Sequence, residues 1–522
     1  MPNFIEDFWR DNAALWNHRL VTRFPPEPNG YSHIGHAKSE LLNFGMAARH
    51  GGICRLRMDD TNPEKESGHY AQNIIEMAQW LGFSWEGEVR YASDHFDALY
   101  LAAISLIGRG LAYMDFTRRE DMREMRGTLT SPGIRSDDAR HGVKWHKVMF
   151  MRMAKGDFAE GECCLRAKID MASPNINLRD PVLYRIKKVP HDRTGYRWII
   201  YPSYDYAHPF CDGMEGVSLS LCTLEFEDHR PFYNWVISHC VESFKDSGAS
   251  HPPVELEFAR LELDRGLTSK RKINALVEAG AVDGWDDPRL VTLAALRRRG
   301  FTPSSLLSFC EAAGISKSNS LIPFSRIEDF LRLDLDDKAV RRVVVSNPIH
   351  LQFVDNPGRR VLSIANHPRK PEMGERPFEV SSNFWIDSGD VRAAGTAENG
   401  FKRIEPGVCF RIMPGVTGEC LDVLTGDGGK VTGVVARVSN GKPRCTVHGL
   451  SQSHCTPVEI WEPVAMSDGD DPDGCLIVRH GFVEPDGMHT EGTWQAVRYG
   501  YCTQDRNHPG RLILTTPLRS GI

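Results

Sequence analysis

Two phosphate-handling segments lie far apart in this chain, and their order and separation constrain the fold more than any other feature. The first is RFPPEPNGYSHIGH, Arg23 to His36; the second is LTSKRKI, Leu267 to Ile273. Leu20 and Val21 lead into the first segment as a buried strand, and PPEPNG breaks that strand into a turn. Helical spacing through Ala37, Leu41, Leu42 and Phe44 predicts a helix beginning near His33. A helix N-terminus offers unpaired N–H groups and partial positive charge to phosphate oxygens. His33 and His36 share one face of its first turn, where imidazoles can donate to charge developing on a phosphoryl group. Gly35 between them has no Cβ, so adenine or ribose can lie close to the backbone. In the second segment Ser269, Lys270, Arg271 and Lys272 follow Gly266 and Thr268. This run reads as a mobile loop whose ammonium groups follow a pyrophosphate leaving group. The two segments together predict a site for ATP phosphates, without a P-loop, in a split α/β domain.

The rest of the chain is consistent with that plan. Residues 1–95 read as the first half of a Rossmann-like nucleotide-binding unit, with a second buried strand at Ile53 to Met58 running into Asp59 and Asp60. Carboxylates at strand ends sit where open α/β sheets bind ligands. Residues 96–200 read as an inserted α/β module, 201–262 as the return to the first domain, and 263–335 as a helical subdomain carrying the SKRK run. From 336 to 522 short alternating strands separated by Gly, Pro and Asp turns predict β-barrels. The 13 cysteines are odd in number and form no CxxC pair, which points to reduced thiols in a cytosol and to no structural zinc site. The acidic, amphipathic N-terminus lacks the features of a signal or transit peptide, and no apolar run is long enough to span a membrane. With a net charge of −6, RNA binding has to rest on local basic faces.

The blocks RFPPEPNGYSHIGHAKS, LRMDDTNPEKE, RGTLTSPG, CLRAKIDMASP, LRDPVLYRI, YPSYDYAH, SLCTLEFEDHRPFYNW and NHPRKPEMG carry a resemblance to class I aminoacyl-tRNA synthetases, and among them to the glutaminyl-tRNA synthetases. The resemblance runs from about residue 20 to the end. Related glutamate enzymes carry arginine where this chain has Cys222; an arginine favours a carboxylate side chain and a thiol does not.

The resemblance implies a cytoplasmic ligase, expected as a monomer and not membrane-bound, that activates glutamine or a close analogue with ATP and Mg2+ and transfers it to a tRNA(Gln)-like partner. It assigns His33, His36 and Lys270 to catalysis. Glu27, Asn29, Gly35, His36, Arg260, Leu261, Ser269 and Lys270 go to ATP. Arg23, Asp59, Tyr204, His208, Cys222 and Phe226 go to the amino acid, with Leu221 in the same pocket. Leu129, Pro174, Ile176 and Asp228 face the acceptor stem. Arg341, Lys402, Arg403, Arg411, Gln495 and Arg498 face the anticodon side.

Several positions depart from the family pattern. Pro209 and Phe210 follow His208, Leu219 replaces a histidine, and Glu255 replaces a glutamine where the carboxamide is read. Pro209, Phe210 and Leu219 are expected to make the pocket more apolar. An ionised Glu255 accepts hydrogen bonds only, so it favours an –NH2 donor over a carboxylate. Gly400 and Met413 replace polar anticodon readers, which predicts weaker anticodon discrimination. These departures leave two other readings open. One is a paralogue charging tRNA with a primary amide or sulfonamide analogue, working with a downstream acyltransferase. The other is a non-catalytic RNA-binding regulator.

Overall fold

The computed structural model describes residues 3–393, 403–413 and 415–518. The chain divides into two compact units, Met1–Leu263 with Cys310–Ile322, and Asp264–Phe309 with Pro323–Ile522.

The first unit is built on parallel strands. Strands β1 (Val21–Phe24), β2 (Ile53–Met58) and β3 (Arg90–Tyr91) pair in that order. β1 and β2 are parallel with Arg23 opposite Arg55. Between them runs the helix Ile34–Arg49, which starts one residue after His33. An antiparallel four-stranded sheet follows: β4 (Ala112–Asp115), β5 (Cys164–Ala167), β6 (Val182–Ile186) and β7 (Ile200–Pro202). The chain then returns through the helix Tyr204–Met214 to β8 (Leu219–Thr223) and β9 (Val254–Phe258), a parallel pair. Ser218, just before β8, joins the two halves: its N–H donates to the Val21 carbonyl, and its Oγ accepts from the Val21 N–H.

Period-two alternation sorts these strands into faces. Leu219 and Leu221 of β8 and Phe258 of β9 enter one apolar cluster with Trp9, Trp16, Leu42 and Met46, and Leu256 packs against it. Cys54, Leu56 and Met58 of β2 enter another with Phe24, Phe44 and Ile74. The alternate residues Arg23, Arg57, Ser220, Cys222 and Glu255 therefore share the opposite side, and all are buried.

The second unit begins with helices and ends in β-structure. Six strands close a barrel: Pro348–Phe353, Asn383–Asp387, Cys445–Ser451, Cys409–Met413, Val416–Thr425 and Val431–Val438. A seven-stranded sheet includes Thr456–Pro463, Leu476–Val483, Thr493–Ala496, Gly500–Gln504 and Arg511–Pro517. Inside this unit Arg376 donates through Nε and NH2 to Glu484, both buried. No helix among the described residues is long and apolar enough to cross a membrane.

One buried group in the first unit works against stability. Glu40, on the helix Ile34–Arg49, is fully buried and neither carboxyl oxygen has a hydrogen-bond partner. Burial raises its pKa well above the ordinary value. The folded chain thus holds this proton more tightly than the unfolded chain, whose carboxyl titrates near about pH 4. The group's contribution to stability falls as pH rises above that range toward the folded pKa. Glu40→Gln removes the titration. Its melting temperature relative to the native chain should therefore rise between about pH 5 and about pH 8, as followed by scanning calorimetry. A gap that stays constant with pH contradicts this reading.

Candidate active site

The predicted helix start contains both histidines, in a geometry set by the cap. His33 is the N-cap residue: its Nδ1 accepts from the Gly35 N–H at 3.0 Å, and His36 Nδ1 accepts from the His33 N–H at 3.1 Å. The ring centroids lie 4.1 Å apart. Because each Nδ1 is an acceptor, Nε2 is the nitrogen that carries the proton in the neutral ring. Each ring therefore carries its N–H at Nε2, the kind of group that can donate to a phosphoryl oxygen. The structure adds a second reason for Gly35: a Cβ there would stand 2.8 Å from His33 Cε1. Asn29 Nδ2 donates to Glu27 Oε2 at 2.5 Å in the turn before this helix, and the Asp59 N–H donates to the Pro26 carbonyl, pinning the turn to the end of β2.

The amino-acid residues named from the sequence come together beneath that turn. Asp59 Oδ1 accepts from Arg57 Nε at 2.7 Å, and Oδ2 lies 2.8 Å from His208 Nδ1. Burial works to raise the Asp59 pKa, but Arg57 and the His208 hydrogen bond outweigh it and hold the carboxyl below its ordinary value. The neighbouring Asp60 behaves oppositely. It faces Ser93, which donates through N–H and Oγ, and burial pushes it up to about 7. Tyr204 stacks on His208, with ring centroids 5.0 Å apart, and leans on Phe226 at 5.6 Å. Tyr204, His208 and Asp212 follow one another at helical i, i+4 spacing, so one face of the helix supplies all three.

Arg23 lies at the bottom of this constellation, fully buried. It donates to Asp212 through Nε, to the Leu221 carbonyl through NH1, and to Ser220 Oγ and His208 Nε2 through NH2. NH2 also lies 3.4 Å from Cys222 Sγ. Asp212 in turn accepts from Arg57 NH1 at 2.8 Å, Ser220 Oγ at 2.8 Å and Tyr233 Oη at 2.9 Å. Burial would raise Asp212, yet Arg23, His208 and Arg57 hold it far below the carboxylate range. The guanidinium that contacts Cys222 is therefore already neutralised by a fixed carboxylate, and Glu255 adds acidic character beside it. Glu255 is 4% exposed, its Oε2 has no hydrogen-bond partner, and burial pushes its carboxyl up to about 7.

Sequence reasoning missed Arg57, Asp212, Ser220 and Glu215. The signal for Arg57 was present: it stands two residues before Asp59 on a buried strand and so shares its face. Strand alternation and helix phase correct three expectations. Leu221 and Leu219 turn their side chains into an apolar cluster on the far face, so Leu221 offers the site its carbonyl alone. Phe210 packs against Phe244 and Tyr206 in a core away from the pocket, so it does not tighten it.

The lysine segment also differs from expectation. Gly266 to Ser269 is coil, but Lys270, Arg271 and Lys272 form the first turn of the helix Lys270–Glu278, with Ser269 as N-cap. Three cations at a positive helix end are unfavourable for the helix alone; Lys272 is compensated by Asp468. This segment belongs to the second unit. Arg260 and Leu261 lie in the first, where Arg260 pairs with Glu262 at 2.5 Å.

On the RNA side, Leu129 sits at the tip of the turn Thr128–Ser131 and is 77% exposed. Arg179 holds that turn, donating through NH1 to the carbonyls of Arg126, Thr128 and Ser131, each at 2.9 Å. Asn175 and Asn177 both donate to the Asp228 carbonyl, which draws the segment bearing Pro174 and Ile176 to Asp228. In the second unit Arg341 pairs in register with Gln495, and Arg498 is bound by both oxygens of Asp390. Arg411 and Met413 are exposed on a barrel strand, and Arg403 is half-buried. Lys402 and Gly400 lie outside the described residues.

The family described as tRNA synthetases class I (E and Q), catalytic domain, matches residues 19–337, and the corresponding anti-codon binding domain matches residues 339–439. A glutamine–tRNA ligase of Nitrosomonas europaea is 44% identical over a 551-residue alignment covering 99% of this chain and 97% of the relative. That of Cronobacter sakazakii is 40% identical, covering 97% of this chain and 94% of the relative. Among solved structures, a glutamate tRNA ligase from Elizabethkingia meningosepticum in complex with its amino acid aligns with a TM-score of 0.45 at 16% identity, over 62% of this chain and 70% of that one. That likeness is too loose to carry weight.

Gly35→Ala forces the His33 ring from its capping position, so the rate of ATP-dependent activation should fall at least about tenfold, or about 1.4 kcal/mol, with the melting temperature little changed. Unaltered activation in this variant contradicts the geometry.

Proposed function

The chain belongs to the class I tRNA synthetases of the E and Q family, and on that premise we propose that it activates glutamine with ATP and transfers it to the 3′ end of tRNA(Gln). The observation that carries this reading is the pocket in which Asp59 and Tyr204 both contact His208, with Cys222 beside its ring and Arg23 already bound to Asp212. Asp59, ionised and held from one side by Arg57 and His208, suits a substrate α-ammonium. A thiol and an acidic neighbour at the far end suit a carboxamide and disfavour a second carboxylate. The two relatives named above are both glutamine–tRNA ligases, which favours glutamine over an analogue.

The substrate carboxylate attacks the α-phosphorus of ATP, giving an acyl-adenylate and pyrophosphate. The family uses ATP with Mg2+; here the ion comes with the nucleotide. His33 and His36 donate through Nε2 to the phosphoryl oxygens, and Gly35 leaves room for that arrangement. Glu27, Asn29, Arg260 and Leu261 bind the nucleoside. Ser269 and Lys270 act on the leaving pyrophosphate. The 2′-hydroxyl of the terminal ribose then attacks the acyl carbon, a phosphate oxygen of the adenylate takes its proton, and the acyl–phosphate bond breaks to release AMP. Leu129, held out by the Arg179-braced turn, opens the first acceptor pair. Pro174, Ile176 and Asp228 face the acceptor minor groove, which is shallow enough in RNA to be read. Arg341, Lys402, Arg403, Arg411, Gln495 and Arg498 serve the anticodon side. The exposed Met413 is an apolar surface where a polar reader is usual, so the acceptor stem carries more of the recognition. The enzyme works as a cytoplasmic monomer.

ATP–pyrophosphate exchange, measured with and without tRNA, tests this reading. The native chain should support exchange with glutamine and not with glutamate. Lys270→Ala should slow it by roughly a hundredfold, a few kcal/mol of transition-state stabilisation. Equal exchange with glutamate sinks the substrate assignment, and near-native exchange in the variant removes Lys270 from the chemistry.

A further inference from the structure

A second cavity, of about 200 Å3, lies at the starting ends of β1 and β8, away from the turn that carries the histidines. Arg19, Arg55, Asn17, Ser218 and the loop from Ser247 to Ser250 line it, and no lining side chain is a carboxylate. Its walls are tied together. Trp16 Nε1 donates to the carbonyls of His251 and Pro252, and Ser250 Oγ donates to the Leu15 carbonyl. Ser218 Oγ donates to the Arg19 carbonyl. Ser247 Oγ accepts from the Ala249 N–H, which leaves its own proton to be donated.

The arginines here are treated unlike others in the same unit. Arg57 meets Asp59, Arg135 meets Asp180 and Arg166 meets Asp115. Among the described residues no carboxylate pairs with the guanidinium of Arg19 or of Arg55. Arg55 Nε is moreover buried with no hydrogen-bond partner, which is costly for a charged donor unless something comes to meet it. Burial, Arg90 and Arg19 lower the Arg55 pKa, while Glu215 and Glu86 oppose them. Glu215 is already engaged by Arg57 and His95, and Glu86 is exposed. The cavity therefore concentrates positive charge that the protein itself leaves uncompensated.

We propose that Arg19 and Arg55, with the Ser247 hydroxyl, bind one small free oxyanion of the phosphate class in this cavity, at a site separate from the nucleotide site. Guanidinium forks match the geometry of such an anion and hold their charge at any physiological pH. The exposed Arg19, Gly248 and Ser250 form the mouth through which it enters, and Arg55 stands deeper. A water takes roughly 30 Å3, so the cavity holds one phosphate-sized anion with a few waters. It has no room for the sugars that flank each phosphate of an RNA backbone, which favours the free anion. The site does not depend on the glutamine reading, because none of its residues is assigned to that chemistry.

Inorganic phosphate is the probe, titrated calorimetrically into the full-length chain at constant ionic strength held with chloride. The native chain should show saturable binding that Arg55→Gln and Arg19→Gln each weaken at least about tenfold, as expected for loss of one charged hydrogen-bond donor. Phosphate held at the catalytic histidines is indifferent to both substitutions, so the variants separate the two sites. Arg19 is exposed, and its variant decides the matter if Arg55→Gln does not fold. No saturable binding by the native chain, or native affinity in Arg19→Gln, overturns the site. Weakened tRNA binding in Arg19→Gln with phosphate binding unchanged assigns the cavity to an RNA backbone and also overturns it.

Discussion

Everything in the candidate pocket depends on how two buried guanidiniums are compensated. Arg23 and Arg57 are both fully buried, and Asp212 binds both. Charges removed from water in this way contribute little net stability, since desolvation offsets most of the Coulomb attraction. Their value lies in geometry. With Asp212 engaged by both arginines, Ser220 and Tyr233, Arg57 can turn its Nε only toward Asp59, and Arg23 can reach His208 and Cys222 only from beneath. The Asp59 carboxylate, proposed above to hold the substrate ammonium, is thus ionised, oriented and already bonded to Arg57 and His208. Removing one member leaves an uncompensated buried charge, a loss of about 3–5 kcal/mol in comparable cases.

The histidine pair depends on a different constraint, the hydrogen bonding of a helix end. The first N–H groups of a helix lack partners within it. Here they are met by His33 Nδ1 and His36 Nδ1. One set of bonds caps the helix, fixes the ring orientations and selects the tautomer that leaves Nε2 protonated. The cap is made by the same two side chains proposed above for the chemistry, and a Cβ at Gly35 would collide with one of them.

Much of this was legible in the sequence where local rules govern. The strand Ile53–Met58, the helix opening at His33 and the change to β-structure in the C-terminal region follow from apolar periodicity and turn chemistry. What was not legible depends on which face of an element a residue occupies and on what arrives from elsewhere in the chain. Leu219, Leu221 and Phe210 were misjudged because nearness in sequence to a site residue was taken as nearness in space, whereas strand alternation and helix phase turn them away. Asp212 was missed because its role exists only once Arg23 and Arg57, far away in sequence, are brought to it. The lysine run was read as loop because Gly266 and Thr268 precede it; the helix start puts three cations together, and the compensation of Lys272 by Asp468 comes from a loop nearly two hundred residues later.

The central claim is that Asp212 governs the amino-acid end of the pocket through the arginines and leaves the nucleotide end alone. Initial rates of ATP–pyrophosphate exchange in Asp212→Asn, varied separately in glutamine and in ATP, test it most directly. The KM for glutamine should rise by about tenfold or more, a loss of at least about 1.4 kcal/mol, while the KM for ATP stays within about threefold of native. A folded variant with native KM for glutamine, or with both constants raised in parallel, contradicts it.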